Sequence, residues 1–171
     1  MLTLLLDIDG VLAPTQPSPD SLEVMIEGID RGIWERYRVH YRPVIMTGLE
    51  ELRSSGAIEI VVLSTWLDVP TMLDELAAAI NLNYDRLLAG PYVGGWGVVE
   101  SNWKRNRALE DITAHPDRLY VWADDELSPD DRASIRALSS QHALIVPREK
   151  VGLTTSHLAQ IRALALKHHQ R

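Results

Sequence analysis

The chain contains no cysteine. That absence excludes disulfides, thiolate-bound zinc and a cysteine nucleophile together, so any metal must sit on oxygen or imidazole, and it fits a reducing, cytoplasmic setting. Basic excess is missing too. Seventeen Lys and Arg stand against 24 Asp and Glu, a formal charge of −7, which argues against stable duplex binding, since that needs a cationic face to displace counterions. The opening apolar run gives out at Asp7, with no basic leader before it and no small-residue cleavage site after it, so neither a signal peptide nor a membrane span is expected. No P-loop or dinucleotide glycine fingerprint, low-complexity tract or internal repeat is found.

At 171 residues, the chain is long enough for one α/β domain with a substantial core, here 1–171. Apolar strand-like runs alternate with helical patterns, the mark of a parallel sheet covered by helices on both faces. Leu2 to Leu6 runs into Asp7-Ile8-Asp9-Gly10. Ile58 to Leu63 is β-branched, apolar and ends at Ser64-Thr65-Trp66. Leu119 to Ala123 runs into Asp124-Asp125, and Ala143 to Val146 reads as a last strand. Proline and glycine place the helices. Pro43 opens one that Gly56 stops, Pro70 opens one to about Asn81 after an Asp68 cap, and Ser128-Pro129 opens another. Further helices are expected from Ser101-Asn102-Trp103-Lys104 and from Thr154 or Thr155. Between Leu87 and Val99, Gly90-Pro91 and Gly94-Gly95-Trp96-Gly97 suggest a loop, with a short strand at Arg86 to Ala89.

One stretch breaks the alternation of strand and helix. From Trp34 to Arg42 the side chains alternate strictly, with Tyr37, Val39 and Tyr41 on one face and Arg36, Arg38, His40 and Arg42 on the other. With Val24-Met25-Ile26 before it, this reads as a hairpin or flap within an insertion at about 13–42, its outer face a cationic stripe that either tracks substrate phosphates or protects an edge strand.

In an open parallel sheet, strand ends meet at one crevice. Here that gathers Asp7, Asp9, Ser64, Thr65, Asp124 and Asp125, with Lys104 opening the helix before the Asp-Asp strand. Carboxylates so crowded repel one another and imply a bound cation, and hard oxygen ligands favour Mg²⁺ shared with a substrate phosphate. Chemically, a carboxylate facing a phosphoryl group can attack phosphorus, and a second one two residues on can move protons. A hydroxyl and an ammonium then stabilise the transferring group. Asp7, Asp9, Ser64 and Lys104 fit these roles. The five tryptophans are expected to pack in the core rather than to stack bases.

These residues resemble, in order, the four motifs of the haloacid dehalogenase-like (HAD) phosphohydrolases: Asp7-Ile8-Asp9-Gly10-Val11, Leu63-Ser64, Lys104 and Ala123-Asp124-Asp125. The resemblance implies a three-layer, Rossmann-like HAD fold and a Mg²⁺-dependent phosphatase working through an aspartyl-phosphate. It implies Asp7 as nucleophile, Asp9 as general acid/base, and Ser64, or its neighbour Thr65, with Lys104 as phosphate ligands. Metal would bind Asp7, the Asp9 carbonyl and Asp124, or Asp125 in its place. An acid at Asp9 points to phosphate rather than halide chemistry in this family. The insertion after the first strand is about thirty residues, too short for a folded cap, so the site is expected to be open, as in members acting on bulky substrates, including nucleic-acid ends and phosphoproteins, and the partner is a phosphorylated substrate, either a small molecule such as a nucleotide or a nucleic-acid end. Two other functions remain: a catalytically idle phosphate-binding scaffold, and a receiver-type phospho-acceptor domain, which would carry its acceptor aspartate on a middle strand and its lysine late.

Overall fold

The computed structural model describes residues 1–30, 33–68, 70–90, 102–138 and 142–169. In chain order its elements are β1 (Leu2–Leu6), β2 (Leu22–Asp30), β3 (Ile33–Tyr41), α1 (Pro43–Ser54), β4 (Ile58–Val62), α2 (Pro70–Ile80), β5 (Arg86–Leu87), α3 (Trp103–Ala114), β6 (Leu119–Ala123), α4 (Pro129–Leu138), β7 (His142–Ile145) and α5 (Thr155–His169). Among the described residues no helix is long and apolar enough to cross a membrane. The expected Gly94 to Gly97 loop with Trp96, and the Ser101 helix start, lie outside the described residues, as does the side chain of Asp68.

A five-stranded sheet in the order β5-β4-β1-β6-β7 carries the fold, and its four strand pairings are all parallel. β1 lies at the centre, and all five of its residues are buried, because a strand with helices on both faces has no solvent side. Leu2, Leu4 and Leu6 pack with α1, α2 and α5 through Leu49, Leu73 and Ile161, whereas Leu5 faces the other layer, with Trp103, Ala108 and Ile135 from α3 and α4. This is the HAD-like α/β architecture. Close approach of α1 to α5 depends on Gly48, where any Cβ would overlap Leu158.

Proline and glycine act where expected. Pro43 begins α1, and Gly56, at φ +73, ends it with its N–H on the Arg53 carbonyl. At the start of α4 the Ser128 hydroxyl accepts from the Asp131 N–H while the Asp131 carboxylate accepts from the Ser128 N–H, a reciprocal cap.

The insertion after β1 is an antiparallel hairpin of two nine-residue strands, longer than the apolar residues alone indicate. On its inner face Ile26 and Val39 are buried. Gly28 lies so close over α2 that a Cβ there would meet Met72 Cγ at 2.5 Å.

On the α3 face, at the amino-terminal half of the sheet, sits a polar network that composition does not reveal. Arg86 donates to Glu59 at 2.7 and 3.2 Å and to Asp111 at 2.7 and 3.1 Å. Arg118 also pairs with Glu59, Thr3 Oγ1 donates to it at 3.1 Å, and Tyr120 Oη donates to Asp111 at 3.0 Å. Burial works against both acids, but Arg86 outweighs it and holds them below their ordinary values. Removing Arg86 leaves Glu59 with Arg118 alone and Asp111 without a guanidinium partner. Arg86→Met should therefore cost about 2–3 kcal/mol by urea denaturation, under the ~3–5 of a fully buried pair, because Arg86 keeps 31% of its side chain in water. Depressed acids contribute stability above their unfolded pKa values and lose it as pH falls through the folded ones, so the deficit should shrink towards acid pH. A variant as stable as the wild type at pH 7 would contradict the network's role.

Candidate active site

Strand register brings the motifs together. The ladder continues past the strand ends, from Asp7 N–H to the Ala123 carbonyl at 3.0 Å, from Leu63 N–H to the Leu6 carbonyl at 3.0 Å and from Asp124 N–H to the Ile145 carbonyl at 3.2 Å. Asp7 thus lies between the end of β4, with Ser64, and the end of β6, with Asp124. The chain then turns back on itself, the Ile8 carbonyl accepting from the N–H groups of Val11, Leu12 and Ala13. Gly10 takes φ +65, and a Cβ there would overlap the Asp125 carboxylate. Position 10 therefore needs glycine both for its conformation and to admit Asp125.

Lys104, in the first turn of α3, closes the cluster. Its ammonium donates to Asp7 Oδ2 at 2.5 Å and to Asp124 Oδ2 at 3.1 Å. The other oxygens are held by backbone: Asp7 Oδ1 by the Ile8 N–H at 2.8 Å and Asp124 Oδ1 by the Glu126 N–H at 2.9 Å. Asp7, Asp124 and Asp125 can each present an oxygen within 4.8 Å of the others. Three carboxylates against one ammonium leave the site short of positive charge. Burial, opposed by Lys104 and reinforced by Asp124, lifts Asp7 from 3.8 to about 6. Burial also lifts Asp125 to about 6, with Asp124 and Glu126 adding to it. Burial disfavours the Lys104 ammonium as well, but Asp7 and Asp124 outweigh it and raise its pKa. A cluster of hard oxygens with unspent negative charge fits a small divalent cation.

The turn after β4 is a single 3₁₀ turn, Thr65–Asp68, and its neighbouring side chains take three directions. Ser64 is fully buried, and its hydroxyl lies close enough to Asp7 to favour the charged carboxylate, yet it forms no well-aligned hydrogen bond. Thr65 is exposed on the wall of the cleft. Trp66 turns its indole N–H onto Asp9 Oδ1 at 3.0 Å. Asp9 is exposed and its carboxylate stands outside the three-acid cluster. The cleft itself has a volume of about 340 Å³ and runs from Asp7 and Asp9 past Lys104, Trp103 and Trp122 to Asp131.

The cationic stripe stands apart from this cluster and is not bare. Arg36 pairs with Glu27 at 2.5 Å, Arg38 with Glu23 at 3.5 Å and Arg42 with Asp20 at 2.5 Å, while His40 lies 3.8 Å from Glu23. These acids come from β2 and the turn before it, so only the cross-strand register exposes the compensation. The tryptophans also divide. Trp103 and Trp122 are core, as expected, but Trp34 is 63% exposed and Trp66 is half-buried against Asp9. The contact of Trp66 with Asp9 escaped sequence reasoning. Its signal was the indole two residues after the strand-end hydroxyl.

No curated protein matches the chain. A family model, the HAD domain in Swiss Army Knife RNA repair proteins, matches residues 3–158, from β1 into the first turn of α5. With β1 ending in Asp-x-Asp, Lys104 on the Asp7 and Asp124 carboxylates and a hairpin inserted after β1, the chain belongs to that family of HAD domains.

Proposed function

We propose that this chain is a Mg²⁺-dependent phosphomonoesterase that removes a terminal phosphate from RNA ends through an aspartyl-phosphate on Asp7. The observation that carries the reading is the pairing of a buried, backbone-held Asp7 with Lys104 beside an unspent Ser64 hydroxyl, at the floor of a cleft with Asp9 at its mouth. That this HAD domain family occurs in RNA repair proteins supports the substrate class. A cleft that carries no folded cap among the described residues suits the end of a polymer.

In this reading Asp7 attacks phosphorus as the bond to the leaving ribose oxygen breaks, and Asp9 gives that oxygen its proton. Water then attacks the aspartyl-phosphate, Asp9 takes the water's proton, and phosphate leaves with Asp7 restored. Ser64 and Lys104 hold the phosphoryl oxygens as their charge redistributes. Asp7 and Asp124, with the Asp9 carbonyl and with Asp125 as the alternative carboxylate, would hold Mg²⁺, which supplies charge neutralisation at the transferring group. Thr65 is the weaker phosphate ligand of the adjacent pair because its side chain stands in solvent while Ser64 faces Asp7. The Arg36, Arg38, His40 and Arg42 face contributes little to substrate binding, since acids already neutralise it.

Release of phosphate from 5′- and 3′-phosphorylated oligoribonucleotides, measured beside phosphorylated metabolites with Mg²⁺, tests the reading. Asp7→Asn should lose at least about a thousandfold in rate, and Ser64→Ala about tenfold or more, well beyond Thr65→Ala. An active Asp7→Asn variant would remove the nucleophile, and a wild type that hydrolyses nothing would favour the idle scaffold.

Stability offers a second check. Between pH 3.8 and about 6 the native chain binds more protons at Asp7 than the unfolded one, so this group makes stability fall as pH rises. Without metal, Asp7→Asn should therefore melt above wild type at pH 7, with the gap closing as pH drops below 3.8. Mg²⁺ should raise the wild-type melting temperature, the more so as its concentration rises above its Kd. A variant that melts below wild type at pH 7 would contradict a charge-strained site.

A further inference from the structure

Asp9 sits at the mouth of the cleft, exposed, on a loop that has left β1. A carboxylate there has two rotatable bonds and solvent around it, so something must hold it if it is to meet a leaving oxygen. The one side-chain hydrogen bond it makes among the described residues comes from the Trp66 indole, at 3.0 Å to Oδ1. Trp66 is itself braced, its ring lying 5.6 Å from that of Tyr37 at a tilt of 60°, a favourable aromatic geometry. Tyr37 belongs to β3. A chain of contacts therefore runs from the inserted hairpin through Trp66 to Asp9.

We propose that Trp66 is the positioning residue for Asp9 and that the hairpin, through Tyr37, sets the position of Trp66. The inference rests on the reading of Asp9 as the group that moves the proton. Indole suits the task for a chemical reason: its N–H is a donor only and does not titrate near neutrality. It fixes Oδ1 without competing for the proton, leaving Oδ2 to serve the leaving oxygen and then water. The flap thereby gains a role that its neutralised charges do not supply. It braces the acid/base instead of tracking phosphates.

The effect should depend on the leaving group. p-Nitrophenolate departs with little help from an acid, whereas the ribose oxygen of a phosphorylated oligoribonucleotide needs a proton. Trp66→Phe, which keeps a ring against Tyr37 but removes the N–H, should lower kcat/KM, which reports the step in which the leaving oxygen departs, about tenfold or more on the oligonucleotide, part of the ~10²–10⁴ a placed acid supplies. Its loss on p-nitrophenyl phosphate should stay under about threefold. In an Asp9→Asn background Trp66→Phe should cost nothing further, since a residue acting through another is not additive with it. Tyr37→Ala should show the same dependence on leaving group, more weakly.

Equal losses on both substrates, or full additivity with Asp9→Asn, would overturn the proposal while leaving the phosphatase reading intact. A wild-type rate no faster than that of Asp7→Asn would overturn both. A measurement free of turnover and of the folding of Trp66→Phe uses the indole N–H resonance of Trp66, which should move in Asp9→Ala. An unmoved resonance would likewise refute the contact.

Discussion

The structure depends on how buried negative charge is tolerated at the carboxyl ends of β1 and β6. Asp7 and Asp124 have lost nearly all their solvent, and Asp125 is packed against Gly10. Desolvated carboxylates are costly unless cations and N–H groups replace water. Lys104 supplies one ammonium shared between two of them, and backbone N–H groups of Ile8 and Glu126 supply the rest. That is insufficient, as the raised pKa values of Asp7 and Asp125 record. The deficit is what a divalent cation would relieve, so the electrostatic strain among these acids and their readiness for a cation have one cause.

The scaffold holds this arrangement by simple means. β1 lies at the centre of the sheet and fixes Asp7, the parallel register places Ser64 and Asp124 beside it, and α3 begins where its first turn can return Lys104 to the same point. Gly152, at φ +67, lets the chain before α5 lie against the Val11 carbonyl and pin the turn that carries Asp9 and Gly10. The Glu59, Arg86 and Asp111 network anchors β4, β5 and α3 at the opposite end of the sheet. The ion pairs of that network and those of the acidic cluster are thereby kept apart.

Most of the sheet and the acidic cluster was legible because it is written locally. Apolar runs of five residues ending in Asp, Ser or Asp-Asp reveal strand ends, and prolines and glycines mark the helices beside them. What escaped was written across strands. The stripe of Arg36, Arg38, His40 and Arg42 reads as cationic until the register of β2 sets Glu27 and Glu23 against it. Ser64 and Thr65 are equivalent as text and differ only once the turn buries one and exposes the other. Trp66 looked like core because aromatic burial is the common case, and its bond to Asp9 joins residues 57 positions apart.

The central claim is that Asp7 takes the phosphoryl group. The most direct measurement is an acid quench of the enzyme turning over ³²P-labelled, end-phosphorylated oligoribonucleotide, followed by peptide mapping. The account predicts label that survives acid, is released by hydroxylamine as an acyl phosphate is, and maps to the peptide holding Asp7. Turnover with no trapped label, or label on any other residue, would contradict it.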